Sequence, residues 1–136
     1  MKNIVITGST RGIGYEMAKE FLRNKCHVTL SGRGKALSDG VIKELSDYKD
    51  NYIYVTCDVT SESNIQNLWD ISVKKWGSID IWINNAGQNS EHAYSWDISF
   101  NDTKSVITTN LIGMIYGSQI ADRKSTRLNS SHGIIW

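Results

Sequence analysis

The chain contains 136 residues, 40% of them hydrophobic and 21% charged, with a formal net charge of +1. One domain is the most that this length allows. A near-zero charge with no basic run argues against a nucleic-acid partner, and no apolar stretch approaches the roughly 20 residues of a membrane span. The N-terminus enters a strand directly, without a signal-peptide pattern. Cys26 and Cys57 form no metal or redox spacing, so buried free thiols in a reducing cytoplasm are expected.

The β-branched run Ile4, Val5 and Ile6 predicts a first strand, which breaks into a loop carrying Gly8, Gly12 and Gly14. Gly8 suits the tight turn that leaves the strand. Gly12 has no Cβ, so its backbone can approach a pyrophosphate, and Gly14 lets the next helix pack hard on the strand. That helix has one buried stripe, Gly14, Met17, Ala18, Phe21 and Leu22, and its N-terminus offers N–H groups and a partial positive charge to an anion. The spacing is Gly-x-x-x-Gly-x-Gly, not Gly-x-Gly-x-x-Gly; alone, the trio also fits an ordinary turn.

Strand and helix then alternate. Residues 27–31 predict a second strand, and 35–48 a helix with Leu37, Val41 and Leu45 on one face. Residues 52–56 predict a third strand; Ile65, Leu68, Trp69, Val73 and Trp76 stripe a third helix. A fourth strand over 79–83 and a helix over 103–121 follow. The alternation implies right-handed crossovers and a parallel sheet covered on both faces, with expected strand order 3-2-1-4. The fold class is therefore α/β, a Rossmann-like doubly wound sheet that ends after its fourth strand and the following helix, leaving that strand as an unpaired edge. Ligands of such sheets bind beyond the carboxyl ends of the strands. Residues Thr7 to Gly14, Gly32 with Arg33, Asp58, and Asn84 to Gly87 all lie at those ends.

Each of these groups has a bland reading beside its functional one. Gly32-Arg33 places an arginine where an NAD-binding site usually has a carboxylate, which suits a 2′-phosphate. Arg11 in the glycine loop is a second guanidinium, whose fork of donors matches phosphate; any single Arg could equally be a solvated surface residue. Asp58 can accept from an adenine amino group or can cap the turn before Thr60-Ser61-Glu62. Asn84-Asn85-Ala86-Gly87 would pass alone as a turn. Asn110 interrupts the apolar pattern of the last helix, where an amide must be satisfied by backbone or by a bound water, while Gly113 and Gly117 allow close approach to the sheet. His27, His92 and His132 show no ligand spacing, and the tryptophans read as core and edge packing.

Together, Thr7-Gly8-Ser9-Thr10-Arg11-Gly12-Ile13-Gly14, Asp58-Val59, Asn84-Asn85-Ala86-Gly87 and Asn110 resemble the short-chain dehydrogenase/reductase family, in order and at matching spacing over residues 1–121. Residues 77–87 look, more loosely, like its chlorophyll b reductase branch. The resemblance implies that Thr7 to Gly14 hold the cofactor pyrophosphate and that Asp58 and Val59 meet the adenine. It implies that Asn85, Ala86 and Gly87 line the nicotinamide side and that Asn110 holds a water of the proton relay, its one catalytic residue here. It further implies a dinucleotide, NADP(H) in preference to NAD(H) from Arg33 and Arg11, a small carbonyl or alcohol substrate, and a homodimer or homotetramer for the parent protein.

The family's catalytic Tyr-x-x-x-Lys does not follow Asn110 in this chain. Residues 122–132 can instead be back-translated, codon for codon, as a common short-read sequencing adapter, and Ile135 fits its next fixed codon, whereas Trp136 departs from the following one by a single base. Residues 1–121 are thus expected to be an incomplete dinucleotide-binding domain, and 122–136 a non-native, disordered tail. The chain would be the cofactor-binding half of an oxidoreductase, inactive by itself. The alternative is a non-catalytic dinucleotide-binding regulator or scaffold.

Overall fold

The computed structural model describes residues 1–90, 92–128 and 133–135. Strands β1 (Asn3–Ile6), β2 (His27–Gly32), β3 (Tyr52–Thr56), β4 (Ile81–Ile83) and β5 (Gly133–Ile135) form one sheet of order β3-β2-β1-β4-β5, and every pairing is parallel. Central β1 is buried along its whole length, as expected of a parallel strand covered on both faces.

Two apolar layers explain the order of elements. On one face, α1 (Gly12–Arg23) and α2 (Asp39–Glu44) flank Ile4, Ile6, Val28, Leu30 and Ile83, which cluster with Tyr15, Ala18, Leu22 and Leu45. On the other, α3 (Glu62–Trp76) and α5 (Gly113–Leu128) cover Val5, Val55 and Trp82 with Ile65, Leu68, Trp69, Ile120 and Ala121. Alternate residues of β1 thus serve opposite layers, the period of two that a strand imposes. Met17 and Phe21 pack partly buried at the rim of the α1 layer.

Several elements differ from the sequence reading. The second helix is only six residues, Asp39–Glu44, followed by a 3₁₀ turn at Ser46–Tyr48. Ser38 caps it by accepting from the Val41 amide, and side chains of β3 hold residues 32–35 as a loop. The last helix is two helices, α4 (Phe100–Ile107) and α5, joined by a π turn at Thr108–Ile112. Helical backbone continues past residue 121 to Leu128, and β5 pairs with β4, Ile81 opposite Gly133 and Ile83 opposite Ile135. The bare β4 edge expected from the sequence is therefore covered. The physical reason is simple: a buried strand's free N–H and C=O groups accept any short β-branched segment in reach, and Gly133-Ile134-Ile135 is one. Trp96 is 78% exposed and so is not core, and Cys26 is half-buried whereas Cys57 is buried.

Candidate functional site

The carboxyl ends of β1, β2, β3 and β4 surround one cleft of about 480 Å³. Gly8, Thr10, Arg11, Gly12 and Ile13 line it from the β1–α1 turn, Arg33 from the end of β2, Asp58 and Val59 from the end of β3, and Asn85, Ala86 and Gly87 from the end of β4. Most of the residues singled out in the sequence are thus brought together.

Thr7, Ser9 and Gly14 do not line the cleft; they are its foundation. Thr7, 2% exposed, accepts at Oγ1 from the amides of Asn85 (3.0 Å) and Ala86 (3.1 Å), tying the β1 turn to the β4 turn. Ser9 Oγ donates to Ile6 O (2.8 Å) and accepts from the Ser31 amide (2.9 Å), which joins the same turn to β2. Asn85 Nδ2 donates to the carbonyls of Thr7 (3.2 Å) and Gly8 (2.9 Å). A Cβ on Gly14 would lie 2.6 Å from Gly8 O and would also strike the Asn85 amide. Gly14 therefore serves close packing.

Gly8 and Gly12 both take left-handed backbone, φ +62° and +61°, which favours glycine. Gly8 is also hemmed in, since a Cβ there would lie 2.6 Å from Ala86 Cα. Around Gly12 nothing lies within 4 Å of that position. It is a bare stretch of backbone facing the cleft at the start of α1. Arg11, the residue before α1, makes no side-chain cap, whereas Ser61 and Ser99 cap α3 and α4. The first amides of α1 are left for an anion.

Arg33 sits on a loop fixed from β3. Tyr54 Oη donates to Gly32 O (3.0 Å) and Thr56 Oγ1 to Gly34 O (2.8 Å). Asp58 Oδ1 accepts from both the amide (2.9 Å) and the hydroxyl (2.7 Å) of Thr60. Those hydrogen bonds, with the nearby Arg33 charge, hold its carboxyl below the usual range. The turn reading of Asp58 thus holds, and Oδ2 has no hydrogen bond among the described residues, so it is still available to a ligand. Cys57 lines the cleft as well; burial, then the Asp58 charge, pushes its thiol up to about 12, leaving it an inert wall.

Asn110 is placed differently from the sequence expectation. It is exposed, within the π turn, because the extra residue of that turn rotates the apolar pattern off its 3.6-residue period. Both ends of its amide bind Gln88 backbone: Oδ1 accepts from the Gln88 amide (2.6 Å) and Nδ2 donates to Gln88 O (2.8 Å). It does not itself line the cleft, while its neighbour Thr109 does. Gln88 and Asn89 also line it and escaped the sequence reading, since no motif or periodicity marks them. The Gln88 side chain is clamped by Ser105 (3.0 Å) and Thr109 (3.2 Å).

The chain has one Tyr-x-x-x-Lys spacing, Tyr15 with Lys19, and it belongs to the α1–α2 contact. Tyr15 Oη donates to Glu44 (2.8 Å), and Lys19 pairs with Glu16 and Glu44. Burial and then Glu44 push the phenol up to about 12, the wrong direction for a general acid near neutral pH. Among the described residues no group of three or more His, Cys, Asp or Glu could hold a metal ion, and no helix is long and apolar enough to cross a membrane.

A parallel doubly wound sheet with a glycine turn at the end of its first strand defines a dinucleotide-binding class of protein. Comparison narrows the class: the short chain dehydrogenase family model matches residues 2–135, and the chain belongs to that family. It is 35% identical, over 133 residues, to a protein named probable chlorophyll(ide) b reductase NYC1 of Arabidopsis thaliana, taking in 84% of this chain and 26% of that one. Glucose 1-dehydrogenase 2 of Bacillus subtilis is 29% identical, with 88% and 47% covered. A short chain dehydrogenase structure from Bacillus anthracis superposes with TM-score 0.89 at 31% identity, covering 97% of this chain and 53% of that one. The structure described as ElxO with NADP bound gives 0.88 at 29%, covering 98% and 53%. The chain thus spans between about a quarter and about half the length of these relatives.

Proposed function

We propose that this chain is the cofactor-binding half of an NADP(H)-dependent oxidoreductase that moves hydride between nicotinamide and a carbonyl or alcohol. The observation that carries the reading is the bare left-handed backbone at Gly12 facing a cleft whose other end presents Arg33 and no carboxylate from β2. A relative's structure described with NADP bound supports a nicotinamide dinucleotide; the preference for NADP(H) over NAD(H) rests on Arg33 and Arg11.

The residues fit such a group. The amides opening α1 and the Gly12 backbone would take the pyrophosphate, and Arg11, which lines the same cleft, would add positive charge toward the ribose phosphate. Asp58 Oδ2 and Val59 would meet the adenine, and Arg33 the ribose phosphate. Asn85, Ala86 and Gly87, fixed from below by Thr7, would form the nicotinamide end. When bound, the dinucleotide supplies the hydride. Asn110 holds the Gln88 backbone and in this reading would bind a water of the relay. The general acid and its lysine would come from sequence beyond Ala121, where residues 122–136 stand as a non-native tail in this reading.

A second reading is a regulator or scaffold that binds the dinucleotide without chemistry, since every cleft residue named above is a binding group. A homodimer or homotetramer is part of the first reading, supported by the exposed apolar side chains Phe100, Ile107, Leu111 and Ile115 along α4, the π turn and α5. A cytoplasmic location is part of it too, and imaging of the tagged full gene product tests that. The deciding experiment is long-read resequencing across the codon for Ala121, followed by assay of the encoded full chain for NADPH oxidation with a carbonyl panel. A frame that continues into Ser and Tyr-x-x-x-Lys, with turnover, supports the oxidoreductase. A continuation with those positions substituted, binding without turnover, supports the regulator. Genomic adapter-like codons would remove catalysis from the proposal.

A further inference from the structure

Beside the main cleft, at its Arg33 and Asp58 end, opens an annex of about 320 Å³. It shares Arg33, Asp58, Gln88 and Thr109 with the cleft and adds Lys104 from α4. Two cations of different origin therefore face one hollow, Arg33 from the end of β2 and Lys104 from a helix on the far side of the sheet's crevice. Among the described residues neither has an ion pair within 4.0 Å. The annex contains one carboxylate, Asp58, and its Oδ1 is already engaged twice by Thr60. Positive charge there is under-compensated, and like charges lining a shared hollow repel unless an anion lies between them.

The backbone that carries Lys104 is well fixed. Its carbonyl accepts from Thr108 Oγ1 (2.7 Å), and the next residue, Ser105, hydrogen-bonds to both ends of the Gln88 amide (3.0 and 3.2 Å). Lys104 is exposed, and what distinguishes it from other surface lysines is that Arg33 lines the same hollow. Arg11, in contrast, lines the main cleft but not the annex.

We infer that Lys104 is a specificity-determining residue: with Arg33 it clamps the phosphate on the adenosine ribose, between a guanidinium fork on one side and a point charge on the other. The inference rests on the NADP(H) reading above and adds a residue that no motif marks.

The test titrates the chain with 2′,5′-ADP and with 5′-AMP by calorimetry, at two salt concentrations. Wild type should bind 2′,5′-ADP more tightly. Lys104→Met should weaken 2′,5′-ADP about tenfold and 5′-AMP by less than about twofold, and should flatten the salt dependence. Lys104→Arg should restore both, and Arg33→Met serves as the control at the shared wall. If Lys104→Met leaves the discrimination intact while Arg33→Met removes it, the inference is overturned and the NADP(H) reading stands. Equal loss for both nucleotides in Lys104→Met also overturns it. If wild type binds both nucleotides equally, the reading and the inference fall together.

Discussion

Two alanine substitutions separate the glycines that build the site from those that serve it. Gly8 and Gly12 have nearly the same backbone, φ +62° and +61°, so a Cβ costs about 1–2 kcal/mol of left-handed strain at either. At Gly8 the added Cβ also lies 2.6 Å from Ala86 Cα and 3.0 Å from Ala86 Cβ. That backbone cannot easily retreat, because Thr7 and Asn85 tie it down; overpacking adds about 1–3 kcal/mol. Gly8→Ala should therefore cost about 2–5 kcal/mol and Gly12→Ala about 1–2 kcal/mol in urea denaturation, with unchanged m-values. Binding should rank the other way for the folded proteins. The Gly12 Cβ meets no protein atom within 4 Å and stands where a phosphate would approach, so Gly12→Ala should lose NADPH affinity by at least about tenfold while staying folded. Equal destabilisation by the two variants, or wild-type NADPH affinity in Gly12→Ala, would refute the reasoning.

Thr7→Val should cost about 2–4 kcal/mol, since it strands the Asn85 and Ala86 amides; Thr7→Ser, which keeps the acceptor, should cost about 1 kcal/mol by urea denaturation. Asp58 has a lowered carboxyl pKa, caused first by the Thr60 hydroxyl and amide and then aided by Arg33. Its contribution to stability is thus present above the ordinary carboxylate range and is lost as pH falls through the lowered value. Asp58→Asn should flatten the acid limb of the stability profile, and an unchanged limb would contradict the assignment. Cys57, with its thiol pushed up to about 12 by burial, should resist iodoacetamide at pH 8 in the native protein while half-buried Cys26 reacts; mass spectrometry of the digested adduct reads the order directly.

The first strand, the glycine turn and α1 were legible because β-branched run, turn and apolar stripe agree locally with the global fold, and the strand order followed from the alternation. What the motif could not reveal is which of its members face the cleft. Thr7, Ser9 and Gly14 are consecutive with cleft-lining residues, yet they point into the sheet, and only the three-dimensional turn separates floor from foundation. Asn110 was misplaced because helical periodicity presumes 3.6 residues per turn, and the π turn at Thr108–Ile112 breaks that count. The short α2 reflects a contest that sequence windows do not see: the hydroxyls of Tyr54 and Thr56 on β3 hold the Gly32 and Gly34 carbonyls and keep that segment out of a helix. Gln88 and Lys104 belong to no pattern, and their importance comes from what the fold puts opposite them. β5 shows that a three-residue strand with two β-branched residues can complete a sheet whatever its origin, because the open edge of β4 supplies the template.

The most direct measurement is titration of the full chain with NADPH and, separately, NADH, read by energy transfer from tryptophan to the reduced nicotinamide. Trp82, buried on β4, places a donor in the strand that leads into Asn84 to Gly87. Saturable binding of both, with NADPH tighter and Gly12→Ala impaired for each, is the expected result. Absence of saturable transfer, or binding that Gly12→Ala leaves untouched, would contradict the assignment of the cleft as a dinucleotide site.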